Sequence, residues 1–143
     1  MKKLFCIFLL LSVLCSSIPP VYASDDSIMP RWENTNFYNF SFTIDNDGVA
    51  DALVQYYGQS ESFSYVKLTL KIQKRFLGMF WNTVDIGETD NQWIEYSYTT
   101  NGNFYNSFQL SDTGTYRALL TLEVFGSNNS VDVIEDQVER EYK

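Results

Sequence analysis

A strict alternation of apolar and polar residues recurs along this chain and constrains its fold more than any other feature. The clearest run is Tyr65 to Arg75, where Val or Leu or Ile alternates with Lys, Thr or Gln. Side chains repeating with a period of two lie on opposite faces of a β-strand. Similar runs predict strands at 38–44, 50–56, 80–86, 93–99, 104–110, 116–124 and 131–142. Since no ten-residue stretch has helical periodicity, the sequence predicts an all-β protein.

Turn residues separate these runs. Asp45 to Gly48 is rich in residues that tolerate a positive φ, Leu77-Gly78 predicts a second turn, and Asn101-Gly102 is a type I′ hairpin signal. Seven or eight short strands with turns every 8–12 residues are typical of an antiparallel β-sandwich. We expect one such domain over residues 37–143, preceded by a flexible polar leader at residues 24–36.

The first 23 residues have the pattern of a secretory signal peptide. Lys2 and Lys3 precede an apolar run that is too short to span a bilayer as a mature helix, and Ala23 provides a cleavage position. An uncleaved anchor helix is the alternative. Both cysteines, Cys6 and Cys15, fall in this segment. We therefore expect a secreted domain that carries no disulfide.

The composition removes several classes of chemistry. The 143 residues include no histidine, so zinc sites of the usual ligand types, Ser-His-Asp triads and Cys-His pairs are not expected in the mature chain. The net charge of −8, from 18 acidic and 10 basic residues, disfavours binding to nucleic acid and to anionic lipid surfaces. No apolar segment after residue 23 is long enough to cross a membrane. No cofactor is indicated.

The segment from Leu110 to Tyr116 resembles the corner before strand F in immunoglobulin-like and fibronectin type III domains. In that corner a tyrosine hydroxyl bonds back to the backbone and a leucine six residues earlier packs beneath it. Tyr116 and Leu110 have this spacing, and Asp112 and Gly114 lie between them. The immunoglobulin cysteine position is Ala118, so the resemblance implies a sandwich of this kind without the inter-sheet disulfide.

Four further segments extend the resemblance over residues 37–142. They are Asp47 to Ala50, Val66 to Lys74, Trp81 to Val84 and Gly114 to Arg117. In this order they are similar to small secreted sandwich proteins of Gram-positive bacteria whose function is uncharacterised. The resemblance implies a fold and an extracytoplasmic location, and it implies no catalytic residues.

Two aromatic residues, Trp93 and Tyr105, are predicted to point outward. Exposed rings stack on sugars and peptides, so they are candidates for a glycan-binding platform. The alternative is ordinary packing on a sheet face, because aromatic residues favour strands in any case.

Two charged groups are further candidates. Lys67, Lys71 and Arg75 share one face of a predicted strand, and they would either dock an anionic partner or form cross-strand ion pairs, for example with Glu123. Asp45 and Asp47 carry oxygens suited to Ca²⁺, but the EF-hand spacing is missing and an Asx-rich turn is the simpler interpretation.

These observations favour recognition over catalysis. Our leading hypothesis is a non-enzymatic extracellular module that binds a protein or a glycan. The alternative is a structural or accessory subunit of a surface assembly that pairs through an edge strand. A small hydrolase that relies on carboxylates alone ranks behind both, since 18 acidic residues produce close pairs by chance.

Overall fold

The computed structural model describes residues 32–143, which contain eight β-strands. The strands are β1 (Thr35–Ile44), β2 (Val49–Gly58), β3 (Phe63–Phe76), β4 (Phe80–Thr83), β5 (Trp93–Ser97), β6 (Asn101–Gln109), β7 (Gly114–Gly126) and β8 (Val131–Tyr142). A short 3-10 turn at Thr89–Asn91 precedes β5. The predicted all-β antiparallel fold of seven or eight strands is confirmed. The predicted signal peptide, with Cys6 and Cys15, lies outside the described residues.

The strands form two antiparallel sheets. One sheet has three strands in the order β1-β2-β6. The other has five strands, in which β3 pairs with β7 and β7 pairs with β8. The opposite edge of β3 is shared, because β4 pairs with its end at Gln73–Phe76 and β5 pairs with its middle at Val66–Leu70.

The hydrophobic core lies between the inner faces of the two sheets. It contains aliphatic positions of β3 and β7 opposite small and aromatic residues of β1, β2 and β6. Its fully buried members include Phe42, Ala50, Ala52, Val54, Tyr56, Val66, Leu68, Leu70, Ile72, Tyr116, Ala118, Leu120, Leu122 and Val124. Residues 32–143 contain no cysteine, so this part of the chain is held without a disulfide.

The ordered domain starts earlier than the predicted boundary at residue 37. Strand β1 begins at Thr35, and Asn34 before it is completely buried. The reason is a contact across the fold: the Asp132 carboxylate on β8 accepts hydrogen bonds from the backbone N–H groups of Glu33 and Asn34, at 3.0 and 2.7 Å. The end of the predicted leader is therefore part of the domain.

The predicted hairpin at Asn101-Gly102 is wrong. These two residues begin β6, and the preceding strand β5 belongs to the other sheet, so the two strands do not pair. Gly102 instead provides room for a neighbour. A Cβ atom built there would lie 2.9 Å from the Tyr56 hydroxyl oxygen. The glycine thus serves close packing beneath a buried ring rather than a tight turn.

Candidate functional site

The outer face of the three-stranded sheet is almost free of charge, and we call it the neutral face. Its residues alternate with the core residues of β1, β2 and β6. They are Phe37, Asn39, Ser41, Thr43, Val49, Asp51, Leu53, Gln55, Tyr57, Asn101, Asn103, Tyr105, Ser107 and Gln109. Asp51 is the one ionised side chain among them, which is unusual in a chain of net charge −8.

A row of three side-chain amides crosses the middle of the neutral face. Asn39 pairs with Gln55, and Gln55 pairs with Asn103, so the three lie side by side on adjacent strands. The Asn39 amide nitrogen donates to the Gln55 carbonyl oxygen at 3.4 Å. Each amide provides both donors and acceptors. The row therefore offers alternating hydrogen-bond partners to a neutral polar ligand.

Aromatic rings lie on both sides of the amide row. On one side of the row, Phe37 and Tyr57 pack together with their ring centroids 5.9 Å apart. On the other side of the row, Tyr105 of β6 pairs with Leu53 of β2. All three rings are about half exposed or more. Tyr57 and Leu53 are four residues apart on β2, so the rings span about 13 Å along the strands.

Tyr105 is held in place by Asp51. Its hydroxyl donates to the Asp51 carboxylate at 2.7 Å, and this hydrogen bond raises the pKa of the Tyr105 hydroxyl. The prediction that Tyr105 points outward agrees with its exposure of 60%. The ring is consequently positioned by a neighbour while its surface stays open to solvent.

Trp93, the other predicted platform residue, does not point outward, and that prediction is wrong. Trp93 is half-buried and packs against the core. It pairs with Leu70 of β3, and paired residues in an antiparallel ladder share a face. Since Leu70 points into the core, Trp93 does the same. The exposed residues of β5 are its neighbours Ile94 and Tyr96.

The predicted basic stripe lies on the outer face of the five-stranded sheet, where most of it is paired. Lys67 contacts Glu123 at 2.6 Å, and Arg75 contacts Glu139 at 2.7 Å. The hydrogen bond to Glu123 raises the pKa of Lys67. Among the described residues, no carboxylate lies within ion-pair distance of Lys71. Partners on β7 and β8 therefore offset two of the three charges.

Two arginines and a tryptophan form a stack at the end of the same face. The Arg75 guanidinium lies 4.7 Å from the Trp81 ring centroid, and the Arg117 guanidinium lies 4.2 Å from it. Arg117 also donates to Gln73 at 2.9 Å. Cation–π contacts of this kind fix both the ring and the charges. The stack lies directly behind the β3–β4 turn.

Asp45 and Asp47 form an ordinary turn. One Asp45 carboxylate oxygen accepts hydrogen bonds from the backbone N–H groups of Asp47 and Val49, at 2.9 and 2.8 Å. This is an Asx turn, in which the aspartate stabilises its own loop. Within residues 32–143 no three His, Cys, Asp or Glu residues gather as a metal site would require.

The predicted corner has a defined geometry. The Tyr116 hydroxyl donates to the Asp112 backbone oxygen at 2.6 Å, and Leu110 is buried beside the core. Gly114 has a φ of 147°, a conformation that favours glycine. A Cβ atom there would lie 3.0 Å from the Lys74 side chain. The corner thus closes the connection between β6 and β7.

A shallow depression of about 470 Å³ lies between β7 and β8. Its lining includes Leu119, Thr121, Glu135, Asp136 and Gln137. Glu135 and Asp136 are consecutive in a strand and therefore point to opposite faces. The two carboxylates cannot flank one substrate, which glycoside hydrolysis by paired acids would require.

Sequence reasoning identified Tyr105 but missed the rest of the neutral face. The alternation does place Asn39 and Gln55 on outward positions. It does not reveal that β2 lies between β1 and β6, which alone brings the three amides into a row. A usable signal was the near absence of Lys, Arg and Glu at the outward positions of these three strands.

No protein-family model matches this chain, and no curated protein matches it at a significant level. The resemblance to small secreted proteins of Gram-positive bacteria stays a prediction. In the described part of the chain, no helix is both long and apolar enough to cross a bilayer.

Proposed function

We propose that this protein is a non-catalytic, secreted binding module of immunoglobulin-like type whose neutral face binds an uncharged glycan. The observation that carries the proposal is the composition of that face: amides, hydroxyls and exposed aromatic rings with a single carboxylate. Charged side chains lose hydration when a ligand covers them, which is costly unless each is paired. A face without them can be covered by a neutral ligand at little cost.

The chemistry of the neutral face fits a sugar chain. Hydroxyl groups both donate and accept, as the amides of Asn39, Gln55 and Asn103 do. The rings of Tyr57 and Tyr105 are flat apolar surfaces on which the C–H side of a sugar ring can stack. Rings on both sides of a polar row suit a ligand that runs along the strands, such as a short oligosaccharide.

The alternative of a surface-assembly subunit that pairs through an edge strand has less support. Strand β8 forms one edge of the larger sheet and carries Glu135, Glu139 and Glu141 on its outer face. Charged residues on an edge strand discourage pairing with another chain.

The test is binding to a panel of neutral polysaccharides by affinity electrophoresis, followed by calorimetry on any that bind. We expect Tyr105→Ala and Gln55→Ala each to weaken binding about tenfold or more, which corresponds to about 1.4 kcal/mol. Tyr96→Ala is the matched control, because Tyr96 is similarly exposed on the other sheet. If no neutral glycan binds, or if Tyr96→Ala has the same effect, the proposal is wrong.

A further inference from the structure

The turn between β3 and β4 exposes a cluster of large apolar side chains, which we call the apolar tip. It consists of Phe76, Leu77, Met79 and Phe80, with exposures of 54%, 73%, 75% and 58%. Most exposed hydrophobic residues of a protein are scattered, whereas contiguous exposed patches mark interaction sites. These four residues surround a single glycine, Gly78, in one tight turn.

The tip lies at the end of β3, where pairing with β7 has stopped. The last pair between β3 and β7 is Lys74 with Tyr116, and beyond it β3 pairs only with β4 as far as Phe76 and Phe80. The turn is closed by a hydrogen bond from the Met79 N–H to the Phe76 carbonyl oxygen at 3.2 Å. The β7–β8 ladder continues two residues past that last β3–β7 pair to Gly114 and Tyr142, level with Phe76, so the turn extends past it by about one residue, or about 3 Å. The four apolar side chains are therefore exposed at one end of the five-stranded sheet.

The backbone of the tip also adopts an unfavourable conformation. Leu77 has a φ of 50°, and the other non-glycine residues with positive φ in residues 32–143 are Asp90, Asn91 and Asn129. Aspartate and asparagine tolerate this conformation, whereas a bulky apolar residue rarely adopts it. Leu77 is therefore unfavourable in two ways: its positive φ is disfavoured for a bulky side chain, and its apolar side chain is exposed to water. Such local conflicts are typical of functional sites.

Side chains behind the tip change character in a defined order. Trp81 follows Phe80 directly, and Arg75 and Arg117 lie against its ring. Lys74 comes next, paired with Asp112 at 3.2 Å. Arg75 pairs with Trp81 and lies at its level, whereas Arg117 pairs with Gln73, two residues farther from the tip. An apolar end, then a tryptophan, then the Arg117 cation follows the order of acyl chains, headgroup boundary and phosphate in a bilayer.

We propose that the apolar tip inserts into the surface of a phospholipid bilayer, with Trp81 at the headgroup level and Arg117 facing the lipid phosphates. A bilayer can take up exposed apolar side chains of this kind, because its interfacial region is about 5–10 Å deep. The net charge of −8 opposes long-range attraction to anionic membranes, so insertion depends on apolar contact. Zwitterionic phosphatidylcholine is therefore the expected lipid, and binding to it should depend little on the salt concentration.

The experiment measures partition of the full domain onto phosphatidylcholine vesicles by flotation, at low and at high salt. The variant Leu77→Asn combined with Met79→Ser removes apolar surface from the tip, and we expect its partition to fall at least tenfold. Asparagine suits a positive φ, so the thermal midpoint of this variant should stay the same or rise. The matched control is Ile94→Ser with Val133→Ser, two exposed apolar residues on the outer sheet face, and it should partition like the wild type.

A second measurement locates the contact. Brominated phosphatidylcholine should quench tryptophan fluorescence, and Trp81→Phe should abolish the quenching because Trp32 and Trp93 pack against the core. The proposal is overturned if the wild-type protein does not partition onto vesicles, including the case in which the tip instead mediates a dimer in sedimentation. It is also overturned if the control variant loses partition as strongly as the tip variant. Tyr105→Ala should leave vesicle binding intact, which separates this proposal from the glycan proposal.

Discussion

The hydroxyl of Tyr116 is a small group with a large expected effect on stability. It is buried with its ring and donates to the Asp112 carbonyl oxygen at 2.6 Å. Replacement by phenylalanine keeps the ring but leaves that carbonyl without its donor. We expect Tyr116→Phe to lower the free energy of unfolding by about 1–3 kcal/mol, measured by urea denaturation. Tyr98→Phe, at a residue that is 77% exposed, should change it by less than about 0.5 kcal/mol.

The raised pKa of Tyr38 predicts how the stability of the fold changes at alkaline pH. Burial, followed by the negative charge of Asp136, raises the pKa of Tyr38 above its usual value of 10.0. The folded protein therefore holds this proton more tightly than the unfolded chain does. Stability should be unaffected by this group below pH 10.0 and should fall as the pH rises through the raised pKa.

The variant Tyr38→Phe should remove part of that alkaline loss. Urea midpoints measured between about pH 8 and about pH 11 would show a shallower decline than in the wild type. Lys67 and Tyr105 also have raised pKa values, so some decline should remain. A decline in Tyr38→Phe as steep as in the wild type would contradict this account, and Tyr98→Phe should keep the full slope.

At the scale of elements, Asp132 joins the start of the domain to its last strand. Its two carboxylate oxygens accept from the N–H groups of Glu33 and Asn34. Asparagine retains one oxygen and presents an NH₂ group to the second N–H. We expect Asp132→Asn to cost about 2 kcal/mol and to speed hydrogen exchange at the Glu33 and Asn34 amides.

The control for this prediction is Asp112→Asn. The Asp112 carboxylate is 69% exposed and contacts Lys74 alone, so its loss should cost less than about 1 kcal/mol. Unchanged exchange at Asn34 in Asp132→Asn would show that other contacts hold this segment. The buried Asn34 side chain, which donates to Ser130 at 2.9 Å, is then the next group to test.

The strands were predictable because one face of each is packed against the hydrophobic core and is therefore apolar. The predicted bounds of β8 agree with the structure, and those of β3 and β7 differ by one or two residues at each end. Errors arose where the role of a residue is set by the partner strand beside it. Gly102 carries a turn signal but lies under the Tyr56 ring, and Trp93 has an outward-looking pattern but pairs with inward-facing Leu70. Neither contact is local in sequence.

At the scale of the whole molecule, charge is divided between two faces. The outer face of the five-stranded sheet carries the ion pairs of Lys67 and Arg75, and the neutral face carries only Asp51. Net charge was known from composition, but this division depends on which strands share a sheet. Strand order is set by contacts between distant segments, and alternation within a strand does not encode it. The apolar tip, in contrast, was readable as large apolar residues around Gly78.

The divided edge of β3 has a consequence for the behaviour of the protein at high concentration. An exposed strand edge is a template on which other chains can add, and this is one route to amyloid. Here β4 and β5 each cover part of the edge, and the segment at 84–92 interrupts it between them. An incoming chain finds no continuous ladder there. The fold therefore resists fibril growth at this edge by its geometry.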